Sequence, residues 1–290
     1  GETVIAKDVK ENKNYGYAQT EQMLTKSDNR CEPKCKYYGI CGGCNMQHIK
    51  YEKQLEIKTQ NVQNLFNKHK LNASVSMCQG GQDFEYRNKI TMYLSKNNSL
   101  GFYKENSREL CEINYCCLVN NDFNNLINKL NNFFKLNKEF NAFVLKGLSI
   151  RQINEKYIIN FILTKKITLT KLQNYLKLNK INYALYYCIN NKKNSNIPEY
   201  PCYFVAGDEQ IFLNEYSIKY PVYPMSFLQV NNQVKKLVYD EIISRVKGYA
   251  NVIDAYSGAG LLSAILAKNN KNVVAVEIDE SASKACEQLC

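Results

Sequence analysis

No run of eighteen apolar residues occurs in the chain, which excludes a membrane-spanning helix by length. The opening residues, GETVIAKDVK, show neither an initiator Met nor the apolar segment behind a basic start that marks a secretory leader. A cytoplasmic protein is expected, processed or shortened at its start. Without a secretory signal, the 12 cysteines require an explanation other than a disulfide framework. Nor is there an internal repeat of fixed period, which sets solenoids and propellers aside.

At 290 residues the chain is long for one domain and suits two or three. Its 45% hydrophobic and 22% charged residues are those of a globular protein with real cores. The net charge of +11 suits a polyanionic partner, because Lys and Arg release counterions when they meet phosphates. A compositional origin competes, since the abundance of Lys, Asn, Ile and Tyr is what AT-rich coding sequence produces.

Residues 2–10 and 15–24 alternate as two strands, a hairpin too small to stand alone and so expected to be a remnant of a β-barrel. A Cys- and Gly-rich loop fills 31–48. A helix is predicted over 51–68, with Leu55, Val62, Leu65 and Phe66 near one face. Strands follow at 84–95 and 99–104, then a helix with Phe123, Leu126, Ile127, Leu130 and Phe134 at helical spacing. AFVLKGLSIRQ and KYIINFILT read as strands paired around the polar turn Asn154-Glu155. TKLQNYLKL is a short helix, INYALYYCI a strand, and 190–196 a surface loop. The alternation through 84–190 suggests one α+β domain. After a helix at 231–247, VIDAYSGAGLLSAILAKNNKNVVAVEID gives strand, Gly-rich turn, helix and strand, the opening of a doubly wound α/β domain. The sequence ends in what reads as the next helix, so this Rossmann-like domain is expected to be incomplete. Three segments result: 1–29, the barrel remnant; 30–225, the central domain, whose helix 49–70 is a candidate to pack on the last segment; and 226–290.

Cys35, Cys41 and Cys44 form a C-x5-C-x2-C arrangement in CKYYGICGGC. Gly42 and Gly43 permit a tight turn that lets thiolates converge. Cys116 or Cys117 in INYCCLVN can supply a fourth. Four thiolates suit an iron–sulfur cluster or tetrahedral zinc, and spacing alone does not separate them. Cys31 is a nearby bystander, and Cys78, Cys188, Cys202 and Cys286 are ordinary core or surface residues.

Asp254, Tyr256, Gly258 and Gly260 lie in a turn that closes a strand and opens a helix, where a ligand can rest against backbone and face the helix N-terminus. Glu277, seventeen residues beyond Gly260, ends the next strand and can accept hydrogen bonds from both ribose hydroxyls. A nicotinamide site would prefer Gly or Ala at Ser263, and the charge of Asp254 would repel a pyrophosphate. S-adenosylmethionine has no phosphate and carries a cationic end, so it tolerates the acidic rim. A turn needed only for packing is the bland alternative.

Taken in order, NYGYAQTEQML, CKYYGICGGCNMQH, YEKQLEIK, YRNKITMYL, LGFYKENS with its following Cys, PMSFLQVN, and VIDAYSGAG with VVAVEID resemble the RNA (uracil-5-)-methyltransferase family, in its iron–sulfur branch acting on 23S ribosomal RNA. The resemblance implies a [4Fe–4S] cluster on Cys35, Cys41, Cys44 and Cys116, the last chosen because it stands nine residues after Ser107; Cys117 stays open. It also implies a TRAM-type barrel for the N-terminal hairpin, and Gln229, Tyr256 and Glu277 as cofactor residues. Gln229 can equally cap the helix behind it, Tyr256 can pack under the turn, and Arg87 can meet RNA or hold an interface.

In this family a Cys thiolate adds to uracil C6 and makes C5 a nucleophile toward the sulfonium methyl. A base then removes the C5 proton, and the uridine is first swung out of its stack. The nucleophile's Ser-Cys-Asn-Pro-type segment and the Asp-Pro-Pro-Arg segment do not occur here, so no catalytic residue is assigned. Cys286 and Cys290 lie in a helix without that context. The competing functions are a transfer-RNA uridine methyltransferase, a non-catalytic iron–sulfur RNA-binding protein, and a nicotinamide oxidoreductase.

Overall fold

The computed structural model describes residues 1–13, 15–192, 197–198, 201–269 and 272–289. It comprises two compact units, Gly1–Gly39 with Cys44–Gln79 and Ile40–Gly43 with Gly80–Cys290.

In the first unit, β1 (Thr3–Glu11) and β2 (Gly16–Thr25) form an antiparallel hairpin whose register shifts three times. Val4, Ile5, Tyr17 and Leu24 are exposed on it. Its base is closed by Arg30, which grips the Glu2 carboxylate with two donors at 2.6 and 2.7 Å. Helix α1 (Tyr51–Lys68) runs where periodicity predicts it, yet it buries no residue completely. Val62 and Leu65 remain exposed. The return segment lies along α1 through side chains: Gln63 accepts from the Val75 amide at 2.9 Å and Thr59 from the Cys78 amide at 2.8 Å.

The second unit is built on a seven-stranded sheet in the order β5-β4-β3-β6-β7-β8-β9. Its strands are β3 (Lys89–Leu94), β4 (Leu100–Tyr103), β5 (Leu110–Glu112), β6 (Leu145–Ile153), β7 (Lys156–Leu163), β8 (Tyr183–Ile189) and β9 (Cys202–Gly207). Neighbours are antiparallel except β7 and β8. Those two are joined through α3 (Thr170–Leu178), as a parallel pair needs a crossover. Asn154 takes φ +53° in the β6–β7 turn, the left-handed conformation Asn tolerates.

Helix α2 (Asn121–Leu136) covers one face of the sheet. Asn120 caps it, accepting from the Phe123 amide at 2.9 Å. Phe123, Leu126, Ile127, Leu130 and Phe134 are buried, as their spacing predicts. An asparagine on the buried side ties the chain around it together. Asn131 joins the Leu100 amide at 2.7 Å to the Ile113 carbonyl at 3.0 Å.

The expected strand at 84–95 begins only at Lys89, because 84–88 bonds to other segments. The Glu85 and Arg87 amides donate to the carbonyls of Cys117 and Leu118, and that of Asn88 to Val230. The predicted surface loop at 190–196 is corrected at its first residue, and 193–196 lie outside the described residues. Asn190 is fully buried; its amide bonds the Leu163 carbonyl at 2.8 Å and its side-chain Nδ2 the Ile197 carbonyl at 2.8 Å. An amide side chain that satisfies neighbouring backbone can be buried where a run of polar letters suggests solvent.

A hairpin of β10 (Ile211–Glu215) and β11 (Ile218–Val222) turns through Tyr216 and Ser217, both at positive φ, the geometry of a two-residue hairpin. Ile211, Tyr220 and Val222 pack with Ile158, Ala184 and Tyr186 of the sheet and with Leu261 and Ile265. The last two lie on α5 (Leu261–Lys268), which follows α4 (Asn232–Arg245) and β12 (Asn251–Ala255) and precedes β13 (Asn272–Val276) and α6 (Glu280–Leu289). β12 and β13 are parallel, so strand, turn, helix and strand stand where the sequence indicates. The cluster seats α5 and hence the Gly-rich turn.

Candidate functional site

The turn between β12 and α5 is made by three residues in left-handed conformation. Tyr256 has φ +65°, Gly258 +56° and Gly260 +80°. At Gly260 a Cβ would stand less than van der Waals distance from the Cys286 side chain, so only glycine lets α6 approach the turn. The Ser257 amide donates to the Val276 carbonyl and the Gly260 amide to that of Ser257, both at 3.0 Å. These bonds fold the turn over the end of β13.

Glu277 is brought to the turn from β13. Its carboxylate accepts from the Gly258 amide at 2.8 Å and from the amides of Ile278 and Asp279 at 2.9 Å each. Backbone donors from Asp279 and Gly258, the two largest influences, hold its pKa below the ordinary carboxylate value. A carboxylate has about four acceptor positions, so three amide bonds leave capacity for a ligand hydroxyl.

Asp254 accepts from the Ser263 hydroxyl at 2.6 Å. Ser263 is buried, so the serine that argued against a nicotinamide site is the partner that fixes the acidic side chain. The Ser257 hydroxyl is buried and lacks a partner among the described residues. Sequence reasoning passed over it, since one Ser in a Gly-rich turn carries no distinguishing pattern. Ser257, Ser263, Glu277 and Cys286 all line a cavity of about 260 Å³. Tyr256 is 91% exposed, so it does not pack under the turn.

Gln229 is tied elsewhere, its carbonyl accepting from Asn88 Nδ2 at 3.1 Å. Its side chain does not cap the following helix. Asn231 does that, accepting from the Val234 amide at 3.0 Å. Gln229 itself is exposed. The Arg87 guanidinium donates from Nε to the Lys89 carbonyl at 2.9 Å, while its backbone bridges to Asn231. The YRNK segment thus braces the loop that carries Gln229.

Cys35 and Cys44 belong to the first unit, Cys41 and Cys116 to the second. Among the described residues no group of three or more His, Cys, Asp or Glu is placed to hold a metal ion. Local frames are nonetheless built around these cysteines. Asn124 of α2 clamps Cys116 by its amide at 2.8 Å and its carbonyl at 3.1 Å. Cys117 is only 3% exposed, a core side chain, whereas Cys116 is half-buried. The Cys35 amide donates to the Gln47 side chain at 3.2 Å, and Gly42 bonds the Tyr103 carbonyl at 2.9 Å.

Comparison with known proteins adds three findings. Residues 223–289 match the family model described as ribosomal RNA adenine dimethylase. Across 97% of its length the chain is 32% identical to an uncharacterized RNA methyltransferase of Listeria monocytogenes, and across 99% it is 26% identical to one of Staphylococcus aureus. It spans 66% and 68% of the length of those two relatives. The crystal structure of Pyrococcus abyssi tRNA (uracil-54, C5)-methyltransferase in complex with S-adenosyl-L-homocysteine superposes with a TM-score of 0.79 at 22% identity, over 100% of this chain and 69% of that one. At that identity the likeness is one of fold.

Proposed function

We propose, from the premise that this chain belongs to the RNA methyltransferase family, that the protein methylates C5 of a uridine in 23S ribosomal RNA with S-adenosylmethionine as donor. The observation that carries the reading is the Glu277 carboxylate held 2.8 Å from the Gly258 amide of a left-handed, glycine-dependent turn. S-adenosylmethionine, when bound, supplies an electrophilic methyl on a sulfonium.

The chain's own residues do the binding. Glu277 accepts from a ribose hydroxyl with the acceptor position its amide bonds leave. Gly258 and Gly260 let the ligand lie on backbone, and Tyr256 offers an exposed ring beside them. Asp254, oriented by Ser263, presents negative charge to the cationic end of the donor. Gln229 completes the set from the braced loop. The buried Ser257 hydroxyl gives the site an unused polar group. No residue of this chain is assigned as nucleophile or base.

The resemblance also assigns a [4Fe–4S] cluster to Cys35, Cys41, Cys44 and Cys116. Thiol spacing and the motif order support this assignment. A broad visible charge-transfer absorbance in anaerobically purified protein is expected; a colourless protein carrying zinc would remove the assignment. The hairpin within 1–29 is assigned to a TRAM-type barrel and the protein to the cytoplasm, on motif and composition.

Calorimetry on the full-length protein tests the cofactor: S-adenosylhomocysteine is expected to bind and NAD not to. Mapping of 5-methyluridine in RNA from a strain lacking the gene tests the substrate. Loss from 23S ribosomal RNA is expected, and loss from transfer RNA alone would overturn that part.

A further inference from the structure

The half-buried face of the central sheet carries two cations for which the described residues supply no carboxylate partner. Along β3, burial alternates so that Ile90, Met92 and Leu94 enter the core while Lys89, Thr91 and Tyr93 share the other face. Across the ladder these three pair with Arg151, Ser149 and Gly147 of β6. Lys89 and Arg151 are therefore directly opposed, and like charges in that relation repel.

Arg151 is 3% exposed. Its Nη2 donates to the Ser226 carbonyl at 2.8 Å, but Nε and Nη1 are buried with no acceptor among the described residues. A guanidinium so placed is strongly unfavourable without an anion. On the far side, the register sets Ile158 of β7 against Arg151, not an acid. The ionisable groups acting on the pair are Cys202 for Lys89 and Tyr220 for Arg151; neither is a carboxylate. Burial first, then Arg151, lowers the Lys89 amine to about 8.

Beside the cations lies an aromatic surface. A Cβ on Gly147 would stand 2.9 Å from Tyr93 Cδ1, so the absent side chain lets the Tyr93 ring lie over the neighbouring strand. Tyr103 flanks it with ring centroids 4.5 Å apart. Cations and aromatic rings on one sheet face are the elements by which proteins hold single-stranded nucleic acid: charge on the backbone, rings under the bases.

We propose that Lys89 and Arg151 form an anion site for a phosphodiester of single-stranded RNA, with an adjoining base stacked on Tyr93. The half-buried Lys89 is the point of entry, and Arg151 lies behind it beside the Ser226 loop. This rests on the RNA methyltransferase reading and names the sheet face that would grip the substrate strand.

The test uses the full-length protein and a labelled oligouridylate of about ten nucleotides, titrated over a range of KCl. Lys89→Gln is expected to weaken binding about tenfold and to lower the slope of log K against log salt by about 0.7, one lost phosphate contact on a single strand. Arg151→Lys keeps most of the affinity while Arg151→Gln loses it. S-adenosylhomocysteine affinity, unchanged in Lys89→Gln, shows that this variant is folded. Unaltered RNA affinity and salt slope in Lys89→Gln overturn the site. So does competition by inorganic phosphate, at matched ionic strength, that depends on Lys89 while the RNA slope does not; that outcome assigns the pair to a free anion. A wild-type protein that fails to bind S-adenosylhomocysteine brings down the methyltransferase reading, and the RNA titration then judges the anion site separately.

Discussion

Two parallel crossovers occur in the second unit, β7–α3–β8 and β12–α5–β13, with the same order of elements and opposite chemistry. In the first, every residue of β7 after Lys156 is buried, and α3 starts behind Leu169 without glycine or a side-chain cap. Its connection, TKKITL, spends no residue on left-handed backbone. In the second, β12 alternates between exposed and half-buried positions, and the turn into α5 takes two glycines and Tyr256 at positive φ. Ile253 is 72% exposed. The first crossover is scaffold, held by burial on both faces. In the second, α5 is seated by its buried Leu261 and Ile265, while the turn before it is shaped by backbone geometry and a few polar ties, which leaves its amides and carboxylates available to a ligand.

Substitutions can break or sharpen this contrast. The largest effect is expected for Phe161→Ala in β7, whose ring is fully buried and stands 6.2 Å from that of Phe134. A loss of about 3–5 kcal/mol follows from emptying such a site, read as a lower denaturant midpoint. Gly260→Ala comes next. Its φ of +80° and the clash with Cys286 together cost about 2–4 kcal/mol. The melting temperature should fall, and S-adenosylhomocysteine binding with it; a normal melt with normal binding would show that α6 yields and the turn does not need glycine.

Glu277→Gln should act on the ligand rather than the fold. Affinity for S-adenosylhomocysteine is expected to drop about tenfold, equivalent to ~1.4 kcal/mol, with little change in melting. The same carboxylate gives a pH signature. Its folded pKa lies below the ordinary 4.5, so whatever stability it contributes is complete above that value. That contribution is lost as pH falls through the lower folded value. Acid titration of wild type against Glu277→Gln, followed by melting temperature, should show whatever advantage the wild type has above pH 4.5 shrink as the pH falls below it. The smallest effect is expected for Ile253→Ala in the 290-residue chain, within about 0.5 kcal/mol. A loss comparable to that of Phe161→Ala would erase the distinction between the two crossovers.

Much of this architecture was legible from periodicity. Helices α1, α2, α3 and α4 and strands β6, β7 and β8 stand close to where apolar spacing puts them, because burial selects side chains at fixed intervals. The elements between 202 and 222 gave weaker signals. β9, β10 and β11 are short, and the turn at Tyr216-Ser217 lacks the glycine or asparagine that announces such hairpins. Helix α1 shows the opposite failure: an apolar spacing was present, yet Leu65 is 53% exposed.

By itself the sequence determined the strand–turn–helix–strand of the candidate site and the placement of Glu277 at its edge, since glycine conformational freedom and helix periodicity are local properties. Only tertiary structure decided which atoms meet. Asp254 is fixed by Ser263, Asn231 rather than Gln229 caps α4, Asn124 holds Cys116, and Arg151 stands opposite Lys89 with two donors unmet. These pairings join residues from different elements, whose approach depends on register and packing across the whole sheet. No local pattern of letters encodes them.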